Sequence, residues 1–111
     1  MSKLPPLIAG KRILHMTLKK HWFELIATGR KKVEYRELKD YWIKRLMRNG
    51  IFIQFDEIHF KNGYQPNAPF MRVEFIKTIV DSGKNLKPMN GEDLQGRFFA
   101  IHLGEVLETL I

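Results

Sequence analysis

Residues 19–36 read KKHWFELIATGRKKVEYR, and the reading of this stretch decides the architecture. Lys19 to Thr28 places Trp22, Leu25 and Ile26 at i, i+3 and i+4, with Phe23 widening the apolar side. That spacing makes one face of a short helix. Gly29 is suited to end it, because glycine adopts the left-handed cap conformation at little cost. Arg30, Lys31 and Lys32 then set positive charge beside the negative end of the helix dipole. Lys32 to Arg36 alternates, so a strand would carry Glu34 and Arg36 on one face and Val33 and Tyr35 on the other.

Working outward, Ile13 to Leu18 (ILHMTL) reads as a first strand. Asp40 to Arg48 (DYWIKRLMR) reads as a second helix, with Asp40 as N-cap, Tyr41 and Trp42 as an aromatic anchor and Asn49-Gly50 as its close. A strand lies within Phe52 to Phe60, most clearly at Glu57 to Asn62, and Gly63 to Pro69 is a turn by composition. Phe70 to Val80 is the longest strand candidate, broken by Asp81-Ser82-Gly83. Asn85 to Gly96 reads as a loop with one helical turn at Gly91 to Leu94. Arg97 to Leu103 is the last strand, which Gly104 to Leu107 continues or bends away from. The order β-α-β-α-β-β-β predicts an α+β domain on a small curled sheet, a β-barrel of about five strands with two flanking helices. Residues 1–12 are expected to form an N-terminal tail on a single domain spanning 1–111.

The 111 residues include 19 Lys and Arg against 12 Asp and Glu, a net charge of +7, and contain no cysteine. Disulfides, thiolate metal sites and thiol nucleophiles are therefore excluded. No apolar run approaches the ~20 residues of a membrane-spanning helix. Met1-Ser2-Lys3-Leu4-Pro5-Pro6 lacks the apolar stretch of a secretory signal, so a cytoplasmic location is expected. The positive excess is concentrated in residues 11–48, whose surplus of +8 leaves the remainder close to neutral. A concentrated excess points to an anionic partner, phosphate backbone above all. A solvated basic face that maintains solubility is the plain alternative.

The residues that carry chemistry are Lys31, Glu34 and Arg36. On one strand face Glu34 and Arg36 stand about 7 Å apart at the backbone, within reach of each other's side chains. Such a pair facing a cavity is costly to desolvate, and an arginine so placed grips phosphate or a base edge. A surface salt bridge of little worth is the other reading of the same spacing. Tyr35 and Tyr64 are candidates for stacking on a base, with Lys61 and Asn62 beside Tyr64 for phosphate or a base edge. Lys19 and Lys20 oppose the dipole at a helix N-terminus, which suggests service to an anionic partner. Trp22, Phe23, Tyr41 and Trp42 suit either stacking or the core. His15, His21, His59 and His102 show no metal-ligand spacing, so no metal and no cofactor are expected; His15 and His102 read as hydrogen-bonded strand histidines.

Gly29-Arg30-Lys31-Lys32-Val33-Glu34-Tyr35-Arg36 resembles the G-x-K-x-x-E-x-R pattern of the activating signal cointegrator homology (ASCH) family, of the PUA-like superfamily. The flanks are similar too: Leu18 to Ile26 resembles the preceding helix, and Tyr41 to Leu46 the YW-x-K-R-L block of small microbial and phage members. Asp56-Glu57-Ile58, Asn62-Gly63-Tyr64 and Phe99 to Gly104 extend the likeness over about residues 13–104. The resemblance implies a PUA-like barrel with a cleft lined by the motif, and binding of RNA or a nucleotide-like ligand. It also implies an alternative, a small amidohydrolase or ribonuclease acting on acetylated cytidine or RNA. In the amidohydrolases the working residues are a motif lysine, a threonine three positions on, and a distant glutamate. Lys31 matches the lysine, Glu34 stands at the threonine position, and 81–96 offers no clear match for the glutamate.

For an enzyme, Glu34 would be the general base and Lys31 or Arg36 the oxyanion partner. Two neighbouring cations favour the ionised carboxylate, which suits a fixed acceptor for an exocyclic amine better than a proton-transfer base. Binding is therefore the first expectation and hydrolysis the second. A protein-interaction module whose basic face docks an acidic partner is the third.

Overall fold

The computed structural model describes residues 7–8, 10–82 and 96–110. A short strand β1 (Leu7–Ile8) leads to β2 (Lys11–Thr17), α1 (Lys20–Ala27), β3 (Val33–Glu37) and α2 (Asp40–Leu46). A hairpin of β4 (Met47–Arg48) and β5 (Ile51–Phe52) follows, then β6 (Glu57–Lys61), β7 (Phe70–Ser82) and β8 (Arg97–Leu110). The fold is α+β. Strands β1-β2-β6-β7-β8-β3 form one sheet in that order, and β4-β5 form a second. Every pairing is antiparallel except β2 with β6, which run parallel. A parallel pair needs a long crossover, and α1, β3, α2 and the hairpin supply it.

Both sheets are open among the described residues, so the expected barrel closure is not a feature of the strand ladders. Instead, Arg36 Nη2 on β3 donates across to the Thr17 carbonyl at the end of β2, at 3.4 Å. The sheet curls far enough for the edge strand β3 to reach β2 through a side chain. The β7–β8 ribbon is bent by register shifts between Arg72 and Lys77, as extra residues in a ladder bend and twist it.

The Gly29 reading holds in detail. Gly29 has φ 77°, its N–H donates to Ile26 O at 3.0 Å, and Arg30 N–H donates to Leu25 O at 2.9 Å. These two bonds form the Schellman motif that ends a helix through a left-handed residue. Asn49-Gly50 behaves otherwise than expected. The helix stops at Leu46, and Asn49 (φ 51°) with Gly50 (φ 74°) forms the two-residue turn of the β4–β5 hairpin. Positive φ at both central residues matches the strand twist, which is why Asn-Gly is favoured there.

Other boundaries moved as well. The sheet begins inside the stretch read as a tail, since Leu7–Ile8 pairs with Lys11–Arg12. Asp81 and Ser82 extend β7 rather than break it, and β8 runs through Gly104 to Leu110. Lys39, not Asp40, is the N-cap of α2, and Asp40 is an acid in its first turn. The loop expected over 85–96, with its helical turn at 91–94, lies outside the described residues except for Gly96.

The core gathers one face of the sheet and the buried residues of both helices. Phe23, Leu25 and Ile26 of α1 are buried, with Phe55, Ile58, Phe60, Met71, Val73, Phe99 and Ile101. Leu46 anchors α2 with no exposure and half-buried Trp42 packs against the core, while Tyr41 is exposed, so one member of the expected aromatic pair helps anchor the helix and the other does not. Among the described residues no helix is long and apolar enough to cross a membrane.

Candidate functional site

The Schellman turn delivers Lys31 directly into the interior, where its side chain is 4% exposed. Its Nζ lies 3.1 Å from Glu34 Oε1 and 4.2 Å above the Trp22 ring, with the Tyr35 ring at 5.4 Å. Strand β3 turns the Glu34 side chain inward to 3% exposure. There Oε2 accepts from Arg36 Nη1 at 2.9 Å, and Oε1 also accepts from Tyr35 N–H at 3.2 Å. Arg36 donates to the Tyr35 carbonyl and faces the Trp42 ring at 5.1 Å. The three motif side chains thus converge, as expected, but they pair with one another beneath the surface, Glu34 being shared by the two cations. Both oxygens of Glu34 are held, which leaves it poorly placed to take a proton from a substrate.

Trp42 links this ionic brace to a cavity of about 610 Å³ between α2 and the sheet. One wall is the polar face of β2 and β6, with His15, Thr17, His59 and Lys61. The other is α2, with Tyr41, Trp42 and Arg45. Tyr64 and Phe70, at the ends of the turn between β6 and β7, close one side. The guanidinium of Arg45 lies 4.6 Å from the Tyr41 ring. Cationic and aromatic groups therefore alternate around one hollow.

Of the residues singled out by sequence, Lys61, Tyr64 and the stacking-or-core pair Tyr41 and Trp42 line this cavity, and Tyr64 is 89% exposed. Lys31, Glu34 and Arg36 stand behind its Trp42 wall. Tyr35 packs edge-on against Phe98. Asn62 braces the turn, its side-chain amide donating to Leu18 O at 3.0 Å. Lys19 caps α1 through its backbone only, and Lys20 is an exposed partner of Glu24 at 3.8 Å; neither lines the cavity. His15, His59, Arg45 and Phe70 were not named as site residues from the sequence. The repeats His15-x-Thr17 and His59-x-Lys61 put each pair on one strand face, and that was the available signal.

Beneath His59 lies a second buried carboxylate, Glu57. It accepts from Arg72 Nε and Nη2 at 2.8 and 3.0 Å, from Lys11 Nζ at 2.6 Å, and lies 3.1 Å from His59 Nε2. The Arg72 fork, helped by Lys11 and His59, holds the Glu57 carboxyl well below the usual carboxylate range in spite of its burial. Arg72 is raised in turn by Glu57 and Glu108. Because the folded value is depressed, this stabilisation is complete above the unfolded carboxylate value of about 4.3 and is lost as pH falls below it. Glu57→Gln is expected to lower the urea midpoint at about pH 7 and to narrow its gap from wild type at about pH 2.5. A gap that stays constant across that range would refute the role of the charge.

His102 differs from its expected hydrogen-bonded state, since its buried Nε2 has no partner among the described residues. Burial, then Lys77, pushes its imidazole below the ordinary histidine value, with Asp81 opposing. Among the described residues no group of three or more His, Asp or Glu is placed to hold a metal ion. In comparisons with known proteins, no family model, no curated protein and no solved structure matches this chain.

Proposed function

We propose that this chain is an RNA- or nucleotide-binding domain of the ASCH, PUA-like kind, with its ligand cleft on the Trp42 side of the G-x-K-x-x-E-x-R motif. The observation that carries this reading is the cavity of about 610 Å³, walled by Tyr41, Trp42 and Tyr64 and charged by Arg45 and Lys61. A hollow of several hundred cubic ångströms suits a nucleotide-sized ligand. Aromatic faces offer stacking to any base, and adjacent cations hold the backbone. The curled sheet, spanned by Arg36 and Thr17, accords with a barrel-like framework. Lys31, Glu34 and Arg36 serve the ligand indirectly, by fixing the wall that Trp42 presents. A hydrolytic role is less well served, because Glu34 already accepts three hydrogen bonds or ion pairs.

Equilibrium binding of a labelled single-stranded RNA over a salt series tests the proposal. Log affinity should fall linearly with log salt, and Arg45→Ala and Lys61→Ala should each reduce the slope by about 0.7, the loss of one phosphate contact. Slopes unchanged in both variants, or no binding at low salt, would overturn it. Turnover of acetylated cytidine or RNA that Glu34→Gln or Lys31→Ala abolishes would favour the enzyme instead.

A further inference from the structure

We infer that His15 and His59, with Arg45 and Lys61, form a seat for the internal phosphodiester of single-stranded RNA, and that His15 takes up a proton when the phosphodiester binds. This rests on the RNA-binding reading of the same cavity and adds to it a subsite and a proton linkage. The parallel ladder sets His15 opposite His59 and Thr17 opposite Lys61, on one face of the sheet. The two imidazoles meet edge to face, with centroids 5.3 Å apart, and both line the cavity. Arg45 enters from α2 on the opposite wall.

Four basic groups from three elements therefore face one space. The acid that meets them is Glu57, which touches His59 and is already engaged by Arg72 and Lys11. Partial burial, then His59, Arg45 and Lys61, push the His15 imidazole below its ordinary value. The free site thus disfavours a further positive charge on His15. An anion seated among these groups reverses that balance, because opposite charge at close range favours the protonated imidazole. A phosphodiester keeps a single negative charge throughout the range in which histidine titrates, so any pH dependence belongs to the protein. The aromatic groups Trp42, Tyr64 and Phe70 flank the same seat, which favours a phosphate carrying bases on both sides over a free anion.

The test uses a dinucleoside monophosphate, with inorganic phosphate and the free nucleoside as comparison arms, at constant ionic strength. Proton uptake makes binding tighter as pH falls, by at most tenfold per unit between the free and bound titration midpoints of His15. From about pH 8 to pH 5.5 the wild-type affinity for the dinucleotide should rise about three- to tenfold. The His15 imidazole resonance should titrate at higher pH in the complex than in the free protein. His15→Gln, on an exposed strand position, should show a clearly smaller rise in affinity than wild type across that range, its circular dichroism unchanged. Binding that is flat with pH in wild type, or full pH dependence retained in His15→Gln, would overturn the proton linkage while leaving RNA binding intact. Equal affinity for inorganic phosphate would overturn the phosphodiester assignment, and absence of dinucleotide binding at every pH would overturn both readings.

Discussion

Glu34→Ala is expected to destabilise the fold by about 3–5 kcal/mol, the loss that follows when one member of a buried ion pair is removed. The carboxylate is 3% exposed and shared by Lys31, itself 4% exposed, and by Arg36. Without it the Lys31 ammonium keeps the Trp22 face, at 4.2 Å, but loses the carboxylate at 3.1 Å. For a domain of this size such a loss lowers the melting temperature by roughly 12–30 °C, a large part of a total stability of about 5–15 kcal/mol. The double variant Lys31→Met, Glu34→Leu should recover much of it, since apolar residues of similar volume can replace a buried pair at little cost. Arg36, with a side chain 20% exposed, can then turn its charge toward water. Denaturant unfolding of both variants checks the argument. A loss under about 1 kcal/mol in Glu34→Ala would mean that the motif does not brace the interior.

Tyr64→Ala should weaken single-stranded RNA binding by about 1–3 kcal/mol, roughly 5- to 150-fold, while leaving the unfolding free energy within about 0.5 kcal/mol of wild type. The separation of the two effects follows from exposure. At 89% exposed, the ring contributes little to the folded interior, yet it stands at the rim of the cavity opposite α2. A large ring left in water beside cationic side chains is available area for a stacked base. Tyr64→Phe should keep most of the affinity, because the face and not the hydroxyl stacks. Binding unchanged within twofold in Tyr64→Ala would remove stacking from the proposal.

The two sites differ in how far the sequence reveals them. Lys31, Glu34 and Arg36 lie within six consecutive positions, so a helix cap and strand alternation suffice to bring them together. What could not be read was their burial. That depends on Trp22 and the carbonyl of Thr17 meeting them, and those groups arrive from α1 and β2. The cavity residues are further apart. His15 and His59 are neighbours through a parallel pairing across the whole crossover, and no local periodicity encodes that register. Asn49-Gly50 shows a different ambiguity. The same dipeptide closes helices and turns hairpins, and the pairing of Met47 with Phe52 selects the second.

From the sequence alone follow a helix within residues 19–28 with its Gly29 cap, the alternation of β3, the basic surplus and the absence of thiol chemistry. Each rests on interactions within a few residues or on a count of side chains. The tertiary structure decided which strands are neighbours, and with them the fate of every long-range charge. It sank Glu34 and Glu57 among cations and raised Tyr64, Arg45 and the histidine pair around an open hollow. The reason is that burial belongs to surfaces brought together by the sheet, and a sheet's register is set by the sum of all its packed faces.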